Sequence, residues 1–247
     1  DTQFMEITDS RATEVGFEKP SYDDSSWKNA KIKNEQFGRL YRQPTKELVF
    51  EKLIPEIIKS GENVTVYDFG REFVGNPVVT AHGACGDKIK IFCGEELDEG
   101  GNVRYAMRCN CRYEEEWILS GEEDKFEPFD YKAFRYAAIE LPRGAKIISV
   151  YGEARHYPFK LKSDVKEPDD TKLKKVFRLC ADTLEYGIQE CYLDCPSREK
   201  GQYFGDGVWS ALTHVRLTGN TEMYKKFVEN AFQSAKTDEG ITAQGPC

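Results

Sequence analysis

The densest grouping of chemically active side chains in the 247-residue sequence is Asp194-Cys195-Pro196-Ser197-Arg198-Glu199-Lys200-Gly201-Gln202-Tyr203-Phe204-Gly205-Asp206. It holds three carboxylates (Asp194, Glu199 and Asp206), one arginine and two aromatic rings among turn residues. Pro196 disfavours helical backbone at Cys195 just before it, and Gly201 and Gly205 let the chain bend. Such a loop can turn several polar side chains into one space. Glycoside cleavage uses this set: one carboxylic acid protonates the leaving oxygen, and a second carboxylate activates water or attacks the sugar. Further carboxylates grip hydroxyls, because an ionised carboxylate accepts from several O–H donors. The plain alternative is a solvated acidic loop stitched together by Arg198. Spacing alone leaves both readings open.

A general acid must hold its proton near neutral pH, above the ordinary glutamate value of about 4.3. Asp194 and Asp206 would raise Glu199 by like-charge repulsion, and Arg198 would oppose them. Other candidates for chemistry are poorer. His82, His156 and His214 are scattered, with no nucleophile at a telling distance, and read as structural or surface residues. Cys195 reads as a buried structural thiol, since no histidine stands near it in sequence. The eight cysteines include Cys109-Asn110-Cys111, which lacks the spacing of a zinc knuckle, so the expectation is free, mostly buried thiols and no metal. Trp27 and Trp117 read as core residues rather than sugar platforms.

The elements that must hold this loop change character near residue 160. Before it, Val64–Phe69 and Lys88–Cys93 alternate with period two, and Phe134–Leu141 and Ile147–Tyr151 read as further strands. Asp98-Glu99-Gly100-Gly101-Asn102 reads as a hairpin turn. Many short strands with regular turn signals predict an antiparallel β-sandwich. After residue 165 the period becomes helical. Leu173, Val176, Phe177, Cys180 and Leu184 share one helix face, with Asp169 or Asp170 as cap. A second helix carries Val208, Trp209, Leu212 and Val215, and a third carries Met223, Tyr224, Phe227, Val228 and Ala231. A short connection at Gly219-Asn220 makes these two antiparallel neighbours. The boundaries predicted are residues 1–47, the remnant of a preceding β-sandwich with a buried Trp27; 48–162, a β-sandwich; and 163–247, the first helices of a larger helical domain. Amphipathic helices without partners, and a first residue that is Asp rather than Met, give the expectation of a chain cut from a longer protein.

Hydrophobic residues make up 39% and charged residues 32%, the balance of a globular chain. The net charge of −8, with no basic face, argues against nucleic acid as a partner. Lys172, Lys174, Lys175 and Arg178 read as a solvated helix face. No apolar run approaches the roughly 20 residues that span a bilayer, and no membrane partner is expected. Localisation, cytoplasmic or periplasmic, is left open.

Asp-Cys-Pro-x-Arg-Glu followed by an aromatic residue and Gly-Asp resembles the signature of the α-L-rhamnosidases of glycoside hydrolase family 78. Asp68-Phe69-Gly70-Arg71-Glu72-Phe73-Val74-Gly75 resembles the strand before that family's catalytic barrel. Gly94–Asp98 and Phe126–Tyr136 resemble its neighbouring sandwich. The likeness extends over about residues 20 to 247, with the loop as its specific part. It implies β-sandwich domains followed by an (α/α)6 barrel, here incomplete, and hydrolysis of terminal α-L-rhamnosyl residues with inversion. Residue by residue, it implies Glu199 as general acid, Asp194 and Asp206 as ligands of rhamnose hydroxyls with Arg198 beside them, and Tyr203 against the sugar. Gln202 departs from members with Gly at that position. The family's general base falls further along the barrel, so the resemblance implies that these residues alone are inactive, and it implies no cofactor. The expected partner is a rhamnose-containing oligosaccharide or glycoside, with self-association through open helix faces. Two other readings stand beside it: a non-catalytic carbohydrate-binding sandwich, and a glycosidase of the same architecture acting on another sugar.

Overall fold

The structure is a computed structural model that describes residues 5–14, 16–33, 41–234 and 243–245. Strands come first: β1 (Ile7–Asp9), β2 (Val49–Leu53), β3 (Glu56–Ser60), β4 (Val64–His82), β5 (Lys88–Gly94), β6 (Glu114–Ile118), β7 (Glu123–Phe126), β8 (Lys132–Glu140) and β9 (Lys146–His156). Then follow α1 (Thr171–Gly187), β10 (Gln202–Tyr203), α2 (Phe204–Thr218), α3 (Glu222–Ser234) and β11 (Gln244–Gly245). The predicted switch from period two to helical period is present. The strands read from sequence correspond to β4, β5, β8 and β9, and the turn at 98–102 is closed by the Leu97–Val103 bridge. No helix among the described residues is long and apolar enough to cross a membrane.

Among the described residues β1 to β9 form one mixed sheet in the order β1-β6-β5-β8-β4-β9-β2, with β3 and β7 also paired to β4. β1 runs parallel to β6, and the other pairs are antiparallel. Residues 7–9 therefore join the same sheet as the strands after residue 48. The organiser is β4. Its first half pairs with β3 and β8, and its second half with β9 and β7. Gly75 sits at the changeover, opposite both Lys132 and Ala154. A Cβ there would lie 2.0 Å from the Glu153 carbonyl oxygen, so only glycine lets the strands come this close.

The register of β4 on β8 shifts between Asp68 and Phe73, leaving residues 69–72 as a bulge opposite Arg135. Asp68 clamps it. Its carboxylate accepts Arg135 Nε and Nη2 at 2.8 Å each and the Gly70 N–H at 2.7 Å. These donors hold the Asp68 carboxyl below its ordinary value, the Arg135 bond first and with burial opposing. Phe69 turns inward to meet Phe73 and Phe134 edge-on or tilted, and Arg71 turns outward to donate to the Tyr186 hydroxyl on α1 at 2.6 Å. One bulge thus serves both the sheet core and the contact with the helices. The core is contributed by β4 to β8, with Trp117, Phe126, Ile89, Ile91 and Ile139 all fully buried. Trp117 also donates to Ser10 Oγ at 2.8 Å, tying down the chain start. Lys132 and Glu115 form a buried ion pair at 2.5 Å, with side chains 0% and 1% exposed.

Trp27 is not buried as expected. It is 48% exposed, donates to Glu14 Oε2 at 2.9 Å and tilts against Tyr22. The turns around it supply a carboxylate and a tyrosine rather than an apolar layer.

Asp170 caps α1, accepting the Lys172 and Leu173 amides at 2.9 Å each. The helical period is as predicted, but the buried face is rotated. α1 buries Ala181 and Tyr186 towards the sheet, while Leu173 and Val176 lie open. α2 buries Gly207, Ala211 and His214, and leaves Trp209 73% exposed. α3 buries Met223 and Phe227, and Tyr224 and Val228 stay partly exposed. In α1 and α2 much of the apolar stripe seen in sequence is left open, whereas α3 buries Met223 and Phe227 from its predicted face. His214 shows why this was hard to foresee. It is buried among Tyr157, Phe159 and Tyr192, with Nδ1 2.8 Å from the Tyr192 hydroxyl.

Candidate active site

The loop of residues 194–206 leaves the end of α1 through a buried turn. Tyr157 N–H donates to the Ile188 carbonyl at 2.8 Å, and Ile188, Gln189, Cys191, Tyr192 and Leu193 are buried. Gln189 bridges the two parts of the chain. Its Nε2 donates to the carbonyls of Arg155 and Tyr186 at 3.0 Å, and its Oε1 accepts Arg155 Nε at 3.0 Å. The chain then emerges at Asp194.

The loop closes on itself. Asp194 N–H donates to the Gly201 carbonyl at 2.9 Å, and Gly201 N–H donates to Asp194 Oδ1 at 2.8 Å. Gly201 has no room for a side chain, since a Cβ would lie 2.6 Å from Tyr203 Cε2 and 2.8 Å from Gln244 Nε2. Residues 195–200 arch over this closure and bring Glu199 back to Asp194. The two carboxyls share a hydrogen bond. That bond, then burial, raises the Glu199 carboxyl, with Arg198 opposing and Asp194 and Asp206 adding repulsion. Burial pushes Asp194 up, but bonds from Glu199, Cys195 and Gly201 outweigh it and leave Asp194 below its ordinary value. The pair is therefore split, with Glu199 the more readily protonated of the two.

Arg198 Nη2 lies 2.5 Å from Glu199 Oε1, with the glutamate side chain 30% exposed. Asp206 is exposed in the first turn of α2. Tyr203 lies on β10, which pairs with β11, and its ring packs over Gly201. The predicted set is thus drawn together around the Asp194–Glu199 pair, with Asp206 and Tyr203 on the outgoing arm. Gln202, where the sequence departs from the family pattern, is buried in that ladder and accepts from Asn230 Nδ2 at 3.4 Å. Cys195 differs from expectation. It is half-buried beside the carboxylates rather than buried in the core. One ligand atom each from Asp194, Cys195 and Glu199 falls within 4.8 Å of the others, though carboxylates take such spacing without a cation.

Sequence reasoning missed Lys200. Its backbone is left-handed (φ +52°), and its side chain, 14% exposed, crosses to the sheet. The ammonium donates to Asp130 Oδ1 and Oδ2 at 2.7 and 2.9 Å and to the Tyr131 carbonyl at 2.7 Å. It also stands 4.3 Å from the centre of the Tyr131 ring, which Arg155 approaches to 4.5 Å. A lysine within a charged stretch gives no sequence signal for such a role, because its partners lie about 70 residues away.

Residues 58–153 match the family model described as the bacterial alpha-L-rhamnosidase concanavalin-like domain, and residues 165–247 match the bacterial alpha-L-rhamnosidase 6 hairpin glycosidase domain. The chain belongs to the bacterial α-L-rhamnosidase family. Solved rhamnosidase structures share its fold. That of the α-L-rhamnosidase from Dictyoglumus thermophilum superposes with a TM-score of 0.86 at 22% identity, covering 100% of this chain and 28% of that one. The Streptomyces avermitilis α-L-rhamnosidase, complexed with L-rhamnose, gives 0.81 at 21% identity, covering 98% and 24%. A rhamnosidase from Klebsiella oxytoca with rhamnose bound gives 0.67 at 14% identity, covering 81% and 47%. The chain therefore spans about a quarter of the length of the first two. No curated protein matches it. The two matches are separated by residues 154–164; β9 ends at His156 and α1 begins at Thr171.

Proposed function

We propose that the chain is the sheet and first helices of an inverting α-L-rhamnosidase, with Glu199 as the general acid for removal of terminal α-L-rhamnosyl residues. The observation that carries this is the Asp194–Glu199 pair, whose carboxylate oxygens lie within 4.8 Å of each other and whose contact shifts the glutamate up and the aspartate down. Glu199 protonates the glycosidic oxygen as its bond to the sugar breaks. Asp194, ionised, accepts from a rhamnose hydroxyl, Asp206 accepts from another, Arg198 restrains Glu199, and Tyr203 lies against the sugar. The two strand groups that share β4 are then the layers of a sandwich spanning residues 48–162. Residues 1–47 carry the end of a preceding sandwich and lead into this sheet, of which β1 is a strand, and α1 to α3 begin an (α/α)6 barrel at residue 163.

Inversion needs a base about 6.5–9.5 Å from the acid, with a water between them. Asp194 is too near, with a carboxylate oxygen within 4.8 Å of one on Glu199, and Asp206 is taken by hydroxyl binding. The base is supplied from outside these residues, and the chain alone binds the sugar without turning it over. Clustering of the loop carboxylates, with Glu199 shifted up and Asp194 down, supports this reading over a non-catalytic binding module. Apolar side chains left open on the helices, among them Trp209 and Phe232, favour self-association of the isolated chain.

The test is titration of the purified chain with L-rhamnose and with L-fucose, together with an assay on an aryl α-L-rhamnoside. Rhamnose binding weakened by Asp194→Ala, without turnover, is expected. Preference for another sugar would move the assignment within the same architecture. Turnover abolished by Glu199→Gln would show that a base exists within these residues.

A further inference from the structure

Lys200 is tied to the sheet more firmly than the candidate site requires. A lysine with positive φ is strained, and such backbone persists only where its surroundings hold it. Here the holding group is its own ammonium, fixed by three hydrogen bonds to Asp130 and the Tyr131 carbonyl. The anchor is itself held. Asp130 N–H and Phe129 N–H donate to the Glu6 carboxylate at 2.7 and 3.1 Å, the Asn76 amide donates to the Pro128 carbonyl at 2.7 Å, and Lys132 Nζ reaches the Asp130 carbonyl at 3.2 Å. Residues 128–132 thus form a braced strap on the sheet. Lys200 stands between Glu199 and Gly201, and Gly201 is the residue that closes the loop on Asp194.

We infer that Lys200 is a positioning residue: anchored on Asp130 across the domain boundary, it holds the 194–201 loop in the register that brings Glu199 onto Asp194. The sheet domain then takes part in the chemistry without touching substrate, by fixing how the two carboxyls meet. This rests on the reading of Glu199 as the acid.

The alternative is that Lys200 acts only through its charge or as a structural tie, and the two differ in sign. Removing a nearby cation, by itself, makes a carboxylate harder to form and moves Glu199 further up. Releasing the loop breaks the bond to Asp194, the largest cause of the raised value, and moves Glu199 down. Asp130→Asn releases the ammonium while keeping its charge, and Lys200→Arg keeps a donor of similar reach. The experiment is an NMR titration of the Glu199 and Asp194 side-chain carboxyls in the whole chain, followed as a coupled pair. Exchange of the Gly201 amide is read in parallel, and Trp117 fluorescence reports an intact sheet.

In Lys200→Met and Asp130→Asn, the upper step of the pair should fall toward the ordinary glutamate range. Gly201 should exchange about tenfold faster, the loss of one hydrogen bond, and Lys200→Arg should retain most of both. An upper step that stays or rises in both variants, with Gly201 still protected, overturns the inference. L-Rhamnose added to the unsubstituted chain tests the site separately. No response at Glu199 would overturn the acid reading, whereas the positioning role stands or falls on the variants.

Discussion

Glu199 and Asp194 share one hydrogen bond, and that sharing drives their carboxyls apart, Glu199 above its ordinary value and Asp194 below. Two acids in one loop are thereby set apart: the glutamate is the one that takes up a proton more readily, and the aspartate the one that keeps its charge more readily.

The first consequence concerns leaving groups. In a protein that joins this chain to the rest of a six-hairpin domain, Glu199→Gln should lower kcat/KM on a natural rhamnoside by about 10²–10⁴. The loss on an aryl α-L-rhamnoside should be much smaller, because a phenolate leaves without protonation. Parallel assays on the two substrates decide it. Equal losses would make Glu199 a binding residue.

A second consequence concerns pH. A general acid works protonated, so the rate falls as pH rises through the Glu199 value. Asp194→Asn removes the charge that holds that value up, and the alkaline limb of kcat should move to lower pH. The pH–rate profiles of the two proteins check this, and an unmoved limb would assign the limb to another group.

The sheet should depend on the buried Lys132–Glu115 pair. Burial raises the Glu115 carboxyl, with Lys132 opposing. Lys132→Met leaves the carboxyl unpaired and should cost about 3–5 kcal/mol. Adding Glu115→Gln should recover much of the loss, as urea denaturation of the single and double variants would show.

His214 predicts an acid-labile helical part. Burial depresses its pKa to about 4, against about 6.5 when unfolded. A depressed histidine contributes stability that is whole above the unfolded value. It is lost as pH falls from about 6.5 toward 4, up to about 3 kcal/mol. His214→Gln keeps a partner for Tyr192 and cannot titrate. Thermal melts of that variant should show a shallower decline across this window.

Much of this architecture was legible in the residues, for identifiable reasons. Period-two runs found β4 and β5, and the apolar runs at Phe134–Leu141 and Ile147–Tyr151 found β8 and β9. β2, β3 and β7 carry charged or exposed residues and gave no such pattern. The helices were found, and α3 buries Met223 and Phe227 as predicted, but the buried face of α2 was misplaced, since Gly207, Ala211 and His214 make the contacts while Trp209 stays open. In the site, the carboxylates declared themselves by crowding into one loop. Lys200 did not, because its meaning lies in Asp130, on the far side of the domain boundary.

Tyr203 and Gln244 face each other in the β10–β11 ladder, and the Phe204 amide donates to the Ala243 carbonyl at 2.9 Å. The chain that leaves the acid loop is thereby stitched to residues it meets again only after α2 and α3. That helical pair hangs from a closed neck, as a bag hangs from a drawstring. A protease that nicks it at Gly219-Asn220 would leave both pieces gripped at the same point.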